Sequence, residues 1–216
     1  MYDSSELFWK NLYTEEDMKD KIVWGAKSEE DFNKNTDEEV ARIKKGLGIE
    51  EGFIFDFGCG IGRLAKRIAT EKLTVAGIDV SQPMINKAKE YCKGTNTMFL
   101  HMQNGYTLPS KDEVADGIYS HIVLQHINKY KVYFILKEFY RVLKKEGKCF
   151  IQLPNLIKCM HEYGTYAKDH VLHNDIQISA MNFWTKEEVK TILEHIGFNT
   201  IEVKEEGQDL YIKFKK

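Results

Sequence analysis

The run Asp56-Phe57-Gly58-Cys59-Gly60-Ile61-Gly62 concentrates the most unusual chemistry in the chain. Glycines allow tight backbone turns and let a ligand approach the main chain closely. The run follows a short apolar stretch and precedes a helical pattern. That places it at the carboxyl end of a strand, where open α/β sheets bind their ligands. Such a turn serves nucleosides and dinucleotides alike, so the flanking residues decide. The spacing is G-x-G-x-G, and Arg63 stands where a dinucleotide fingerprint has its third glycine. Asp56, just before the loop, would repel a pyrophosphate and attract an ammonium group. Asp79 ends the next apolar stretch, where an acid accepts hydrogen bonds from both hydroxyls of a ribose. Together these features favour a cationic nucleoside. The plain alternatives are a solvated strand-end acid for Asp56, a helix-starting acid for Asp79 ahead of Ser81-Gln82-Pro83, and an exposed first-turn residue for Arg63.

The elements that must hold these residues follow from the hydrophobic pattern. Residues 1–48 look helical and charged, with Phe8, Trp9, Leu12 and Tyr13 at helical spacing and Val40, Ile43 and Leu47 again further on. Thr36-Asp37-Glu38-Glu39 offers a cap and early acids for the second of these helices, and Gly46 and Gly48 can end it. From Phe53 strands alternate with helices. Strands are expected at Phe53–Phe57, Leu73–Ile78, Thr97–Met102, Gly117–Val123 and Lys148–Leu153, and helices after Gly62, at Gln82–Cys92 and at Lys129–Leu143. Strands separated by helices imply a parallel sheet covered on both faces. After a helix at Lys186–Ile196, strands at Thr200–Lys204 and Leu210–Phe214 are joined by about five residues, too few for a crossover helix, so they are expected to be antiparallel. The expected organisation is one domain over 1–216, with a helical cap at 1–48 and an insertion at 155–183.

Composition narrows the function classes. The 216 residues are long enough to bury a core, and 43% hydrophobic with 30% charged residues reads as an ordinary globular chain. A formal net charge of −2 without a long basic run argues against a nucleic-acid partner. Cys59, Cys92, Cys149 and Cys159 are scattered, as expected of reduced thiols rather than a disulfide framework or zinc site. The beginning of the chain lacks the pattern of a signal peptide, and no apolar run approaches the roughly 20 residues that span a bilayer. A cytoplasmic protein with no membrane partner and no metal is expected.

Several ordered motifs resemble the class I S-adenosylmethionine-dependent methyltransferases, especially their small-molecule branch. DFGCGIG resembles the first motif, GIDVSQPMINKAKE the second strand with its ribose-binding acid, and DGIYSHIVLQHI the fourth-strand motif. EFYRVLKKEGKCFI and FWTKEEVKTILEHIGF are similar to the later helices and strands, so the likeness covers Phe53 to the C-terminus apart from the insertion. It implies a Rossmann-like three-layer αβα sandwich with a mostly parallel seven-stranded sheet and one antiparallel strand near the C-terminus. It also implies S-adenosyl-L-methionine as cofactor. Asp56, Gly58, Cys59 and Gly60, with Arg63 beside them, would contact its methionine part, and Asp79 the ribose. Val80 and Met84 would flank adenine, Gly105 would face it through its backbone, and His121 and Ile122 would lie near the reactive methyl. Asn104 stands where the family often has Asp; it still accepts through its carbonyl oxygen, without the charge.

Methyl transfer needs a nucleophile held in line with the methyl group, and a base only where the acceptor carries a proton at neutral pH. His121 and His126 are the candidate bases, His126 with a structural role as its alternative. His170 and His173 stand at i, i+3 spacing but suggest no third metal ligand. The insertion, with His161, Tyr163, Tyr166, Met181 and Phe183, is expected to shape the acceptor pocket or to form a lid packed on the sheet. Trp9, Tyr13 and Trp24 could close over the cofactor or simply pack. After the fourth strand stands Ser120-His121-Ile122-Val123, where enzymes that methylate base or glutamine amino groups often place Asn/Asp-Pro-Pro-Tyr/Phe. A small-molecule acceptor methylated on oxygen or nitrogen is therefore expected; an RNA or protein acceptor, or a non-catalytic cofactor-binding relative, stays open, as does the oligomeric state.

Overall fold

The computed structural model describes residues 29–165 and 181–216. Seven strands form one sheet: β1 (Gly52–Phe57), β2 (Leu73–Asp79), β3 (Thr97–His101), β4 (Ala115–Ser120), β5 (Leu143–Pro154), β6 (Asn199–Glu206) and β7 (Asp209–Lys215). Their order is β3-β2-β1-β4-β5-β7-β6. β1 to β5 run parallel, and β7 lies antiparallel between β5 and β6. The short link between β6 and β7 thus produces the expected reversed pair.

Helices cover both faces. On one lie α1 (Glu29–Leu47), α2 (Arg63–Ile68) and α3 (Gln82–Tyr91), burying Val40, Ile43, Leu47, Leu64, Ile68 and Ile85. On the other lie α4 (Lys129–Val142) and α5 (Lys186–Ile196), burying Ile135, Phe139, Val189 and Leu193. Because β1 neighbours both β2 and β4, the chain changes direction across the sheet beside β1. The crevice at the carboxyl ends of β1 and β4 is the switch point at which such sheets bind ligands.

Three elements differ at their ends from the sequence pattern. Thr36 does not cap α1 but lies inside it, buried, with its hydroxyl donating to the Phe32 carbonyl at 2.7 Å. The polar first half of that helix carries no apolar period to reveal it. β4 starts earlier than expected and stops at Ser120, because Ile122 takes a left-handed backbone (φ 57) that no strand accommodates. β5 begins at Leu143 rather than Lys148, with its register against β4 jumping between Ala115↔Leu143 and Gly117↔Lys148. The charged Lys144-Lys145-Glu146-Gly147 stretch reads as a turn and instead forms this irregularity.

Candidate active site

The glycine loop folds back on β2. The amides of Gly58 and Cys59 both donate to the Ile78 carbonyl, at 2.8 and 3.0 Å, and the Gly62 amide donates to the Cys59 carbonyl at 2.9 Å. Gly58, Gly60 and Gly62 all have positive φ (78, 53 and 78°). Their reasons differ. A Cβ on Gly58 would stand 2.3 Å from Val123, and one on Gly62 2.8 Å from the Cys92 sulfur, so both glycines serve packing. A Cβ on Gly60 would meet nothing within 4 Å, so bare backbone faces open space there. Cys59 itself is buried, and burial with the nearby Asp79 and Asp56 pushes its thiol well up. The four cysteines are free and buried.

Asp56 is 2% exposed, and its Oδ2 has no hydrogen-bond partner. Strand register sets it beside Tyr119 of β4, whose buried hydroxyl also lacks a partner of normal geometry. Burial raises the Asp56 carboxyl to about 7, with Tyr119 and Arg63 pulling down against it and Asp79 pushing up. Asp79 is better provided for. Its Oδ2 accepts from the Gly60 amide at 2.9 Å and its Oδ1 from the Ser81 amide at 2.8 Å. Burial still outweighs these donors and raises its carboxyl. Each oxygen keeps a lone pair for a further donor.

Beyond Asp79 come Val80, the buried Met84 on α3 and, past β3, a further loop. His101 holds the Val80 carbonyl at 3.0 Å, and Ser81 caps α3 by accepting from the Met84 amide at 3.4 Å. Asn104 Oδ1 accepts from the amides of Tyr106 and Thr107, at 3.2 and 2.9 Å, turning the chain around the buried Gly105. Both lone pairs of that oxygen are then engaged, which leaves Asn104 its amide N–H groups to present to a ligand. α4 anchors the loop. Arg141 donates to the carbonyls of Ser110 and Leu108 and pairs with Glu138, which accepts from the Leu108 amide at 3.0 Å.

β4 delivers a different set. Ser120 is buried with its hydroxyl donating to the Phe57 carbonyl, which pins the strand end to the glycine loop. Next, His121 Nε2 stands 3.2 Å from Glu39 Oε1, and His121 Nδ1 is buried without a partner. Glu39 Oε2 makes an ion contact with Arg63 at 2.5 Å, outside hydrogen-bond alignment. Burial pushes the Glu39 carboxyl up, but His121 and Arg63 together outweigh it and hold it below the usual range. Arg63 is thus 6% exposed and committed to α1, not a solvated first-turn residue. Ile122 keeps its unfavourable φ because its amide donates to the buried Gln152 Oε1 at 2.9 Å, while Gln152 Nε2 donates to Asp209 at 2.6 Å. His126 lies further along, beside Gln125, where burial lowers its imidazole to about 4.

Asp56, Gly58, Cys59, Gly60, Asp79, Val80, His121 and Ile122 therefore lie at the carboxyl ends of β1, β2 and β4 or in the residues that follow them, with Met84 on α3 and Asn104 and Gly105 in the loop after β3, while Arg63 turns to α1 and His126 lies further along. Glu39, Tyr119 and Gln152 escaped the sequence reading. No pattern marks any of them: Glu39 is one acid among many in a charged helix, and Tyr119 and Gln152 sit inside strands. Of the insertion, Tyr163 meets Phe183 edge to face at 5.8 Å, and Asn182 donates to the carbonyls of Gln125 and Ile127. Tyr166, His170 and His173 lie outside the described residues, as do Trp9, Tyr13 and Trp24. Among the described residues no group of acids, histidines and cysteines could hold a metal ion, and no helix is long and apolar enough to cross a membrane.

Known proteins share this arrangement. The family described as the methyltransferase domain matches residues 55–151, the stretch from the glycine loop through β5. A demethylmenaquinone methyltransferase of Staphylococcus aureus is 28% identical over 183 residues, covering 76% of this chain and 75% of the relative. Magnesium protoporphyrin IX methyltransferase from Synechocystis PCC 6803, solved with bound S-adenosylhomocysteine, superposes with a TM-score of 0.69 at 15% identity, covering 99% of this chain and 100% of that one. A Pyrococcus horikoshii OT3 protein gives 0.71 at 19% identity, covering 94% and 99%. At such identities the solved structures speak for the fold, and the sequence matches carry the chemistry. Glycine loop, strand-end acids, strand order and sequence matches converge: this chain is an S-adenosylmethionine-dependent methyltransferase that resembles the class I family.

Proposed function

We propose that the chain transfers the methyl group of S-adenosylmethionine to an oxygen or nitrogen of a small organic acceptor by in-line displacement. The observation that carries the reading is the buried Asp56 carboxyl at the end of β1, with only the Tyr119 hydroxyl set against it and the bare backbone of Gly60 four residues on. A buried carboxylate short of donors is costly, and the ammonium group of a methionine tail would supply a charged one. The residues fit the cofactor. Asp56, the Gly58–Gly60 backbone and Cys59 would hold the methionine part, and Asp79 the ribose through its remaining lone pairs. Val80, Met84, Asn104 and Gly105 would enclose adenine. Arg63 would act on the tail through the local field rather than by contact, since Glu39 occupies it. Bound there, the cofactor supplies a methyl group on a positively charged sulfur, activated for displacement. His121 and Ile122 would face the reacting end. Of the two candidate bases, His121 fits that work, because His126 at about 4 takes up a proton poorly near neutrality.

The acceptor side rests on Ser120-His121-Ile122-Val123, which lacks the paired prolines and ring that grip a planar amine. It rests also on the relatives, whose names specify demethylmenaquinone and a magnesium porphyrin. The first of these favours a second reading, methyl transfer to carbon, since an ionised hydroquinone is nucleophilic at ring carbon as well as oxygen. The test is incubation with methyl-labelled S-adenosylmethionine and a panel of hydroquinones, phenols, amines, bulk tRNA and bulk protein. Label on an O- or N-methyl product supports the proposal, and label on ring carbon selects the second reading. Label only on RNA or protein would overturn both.

A further inference from the structure

We infer that Glu39, on the N-terminal helix α1, is a positioning residue that fixes the His121 imidazole as its Nε2–H tautomer and leaves Nδ1 as the proton-accepting atom of the site. This rests on the function proposed above, because a proton acceptor matters only where the acceptor loses one.

The geometry divides the imidazole into two unlike nitrogens. Nε2 stands 3.2 Å from Glu39 Oε1, and an ionised carboxylate can only accept, so Nε2 carries the hydrogen. Nδ1 is buried and has no partner within the protein. A neutral imidazole with Nε2 protonated presents a bare lone pair at Nδ1. The location agrees. Ser120, one residue before, bonds to the Phe57 carbonyl at the start of the glycine loop, and Val123, two residues after, packs against Gly58. His121 therefore stands where β4 meets the loop. As an acceptor hydroxyl exchanges its O–H bond for an O–CH3 bond, its proton would pass to Nδ1. The electron pair of the broken carbon–sulfur bond stays on sulfur. Arg63 gains a role from the same contact, since it holds Glu39 in place from the other oxygen. A carboxylate orienting a histidine that serves as base is the logic of hydrolytic triads, set here on a helix far away in sequence.

The test is long-range 1H–15N spectroscopy of the full chain labelled at its histidines, with the His121 signals assigned by their loss in His121→Gln. The expected wild-type spectrum near pH 7.5 shows one protonated nitrogen, Nε2, and one bare nitrogen, Nδ1. Glu39→Gln, whose amide can also donate, should convert this to a mixture of tautomers. A wild-type Nδ1–H tautomer, or an imidazole protonated on both nitrogens, would overturn the inference. So would an unchanged Nε2–H tautomer in Glu39→Gln, which would reduce Glu39 to a partner of Arg63. If that variant fails to fold, the wild-type spectrum decides alone. A parallel titration with S-adenosylhomocysteine tests the cofactor reading separately, since the tautomer can be scored whether or not the ligand binds.

Discussion

At the scale of single residues, the informative groups are those left incomplete. Asp56 is an acid folded into a place where water cannot reach its Oδ2, and its carboxyl rises to about 7 as a result. The sign of the consequence is definite. In the empty protein the proton is held more tightly than in the unfolded chain, so the stability Asp56 contributes is present at low pH and lost as pH rises through about 7. An ammonium ligand needs the ionised form, so its binding strengthens over the same window. Below the titration of its own amino group, S-adenosylhomocysteine should bind roughly eightfold more tightly at pH 7.5 than at pH 6, from the ionised fraction of a group titrating near 7. Calorimetric titrations at the two values check this, and Asp56→Asn should flatten the dependence while weakening binding overall. A wild-type affinity independent of pH would remove Asp56 from the ammonium site. Both acids were legible in the sequence because a charge at the end of an apolar run, next to glycines, breaks a pattern. Glu39 was not, because nothing distinguishes it within Glu29–Leu47 until the fold brings α1 against Arg63 and His121.

Elements set which of those residues meet. The loop between β1 and α2 shows how one motif mixes structural and ligand roles that spacing alone does not separate. Gly58 and Gly60 are equivalent in the sequence motif, yet one backs onto Val123 and the other onto open space. Gly60→Ala should therefore cost about 1 kcal/mol of stability, from its left-handed backbone, while S-adenosylhomocysteine affinity falls tenfold or more. Gly58→Ala should cost about 2–5 kcal/mol, because strain adds to overlap with a β-branched neighbour, and Val123→Ala should restore part of the loss in the double variant. Denaturant unfolding with ligand titration separates the two outcomes; equal stability losses would show that both glycines serve packing alone. The strands themselves were readable from their apolar runs. The irregular ends were not, since Ile122 is held off the β4 ladder by Gln152, a residue thirty positions away, and no local pattern foretells that bond.

Over the whole molecule, the order β3-β2-β1-β4-β5-β7-β6 does what no segment does alone, bringing residues from β1, β2, β4 and α1 to one crevice. Fold class and the reversed final pair could be inferred from element succession, whereas the burial of Arg63 depends on α1 crossing α2, a long-range event. Removing one partner of that buried pair leaves the other uncompensated, so Arg63→Met should destabilise the protein by about 3–5 kcal/mol, read from denaturant midpoints. The same convergence means that a ligand spanning the crevice braces several elements at once. Only the folded sheet assembles the site, so S-adenosylhomocysteine at about 100 times its dissociation constant should add roughly 2.7 kcal/mol, or about 5–10 °C of melting temperature for a chain of this size. NAD should give no shift under the same conditions. Its pyrophosphate would meet the Asp56 carboxylate, and the α2 N-terminus offers Gly62 followed by an arginine already spent on Glu39. A comparable shift with NAD would mean that the loop tolerates phosphate despite Asp56. Electrostatics would then have no part in its choice of cofactor, and that choice would have to lie in the adenine and ribose contacts that both ligands share.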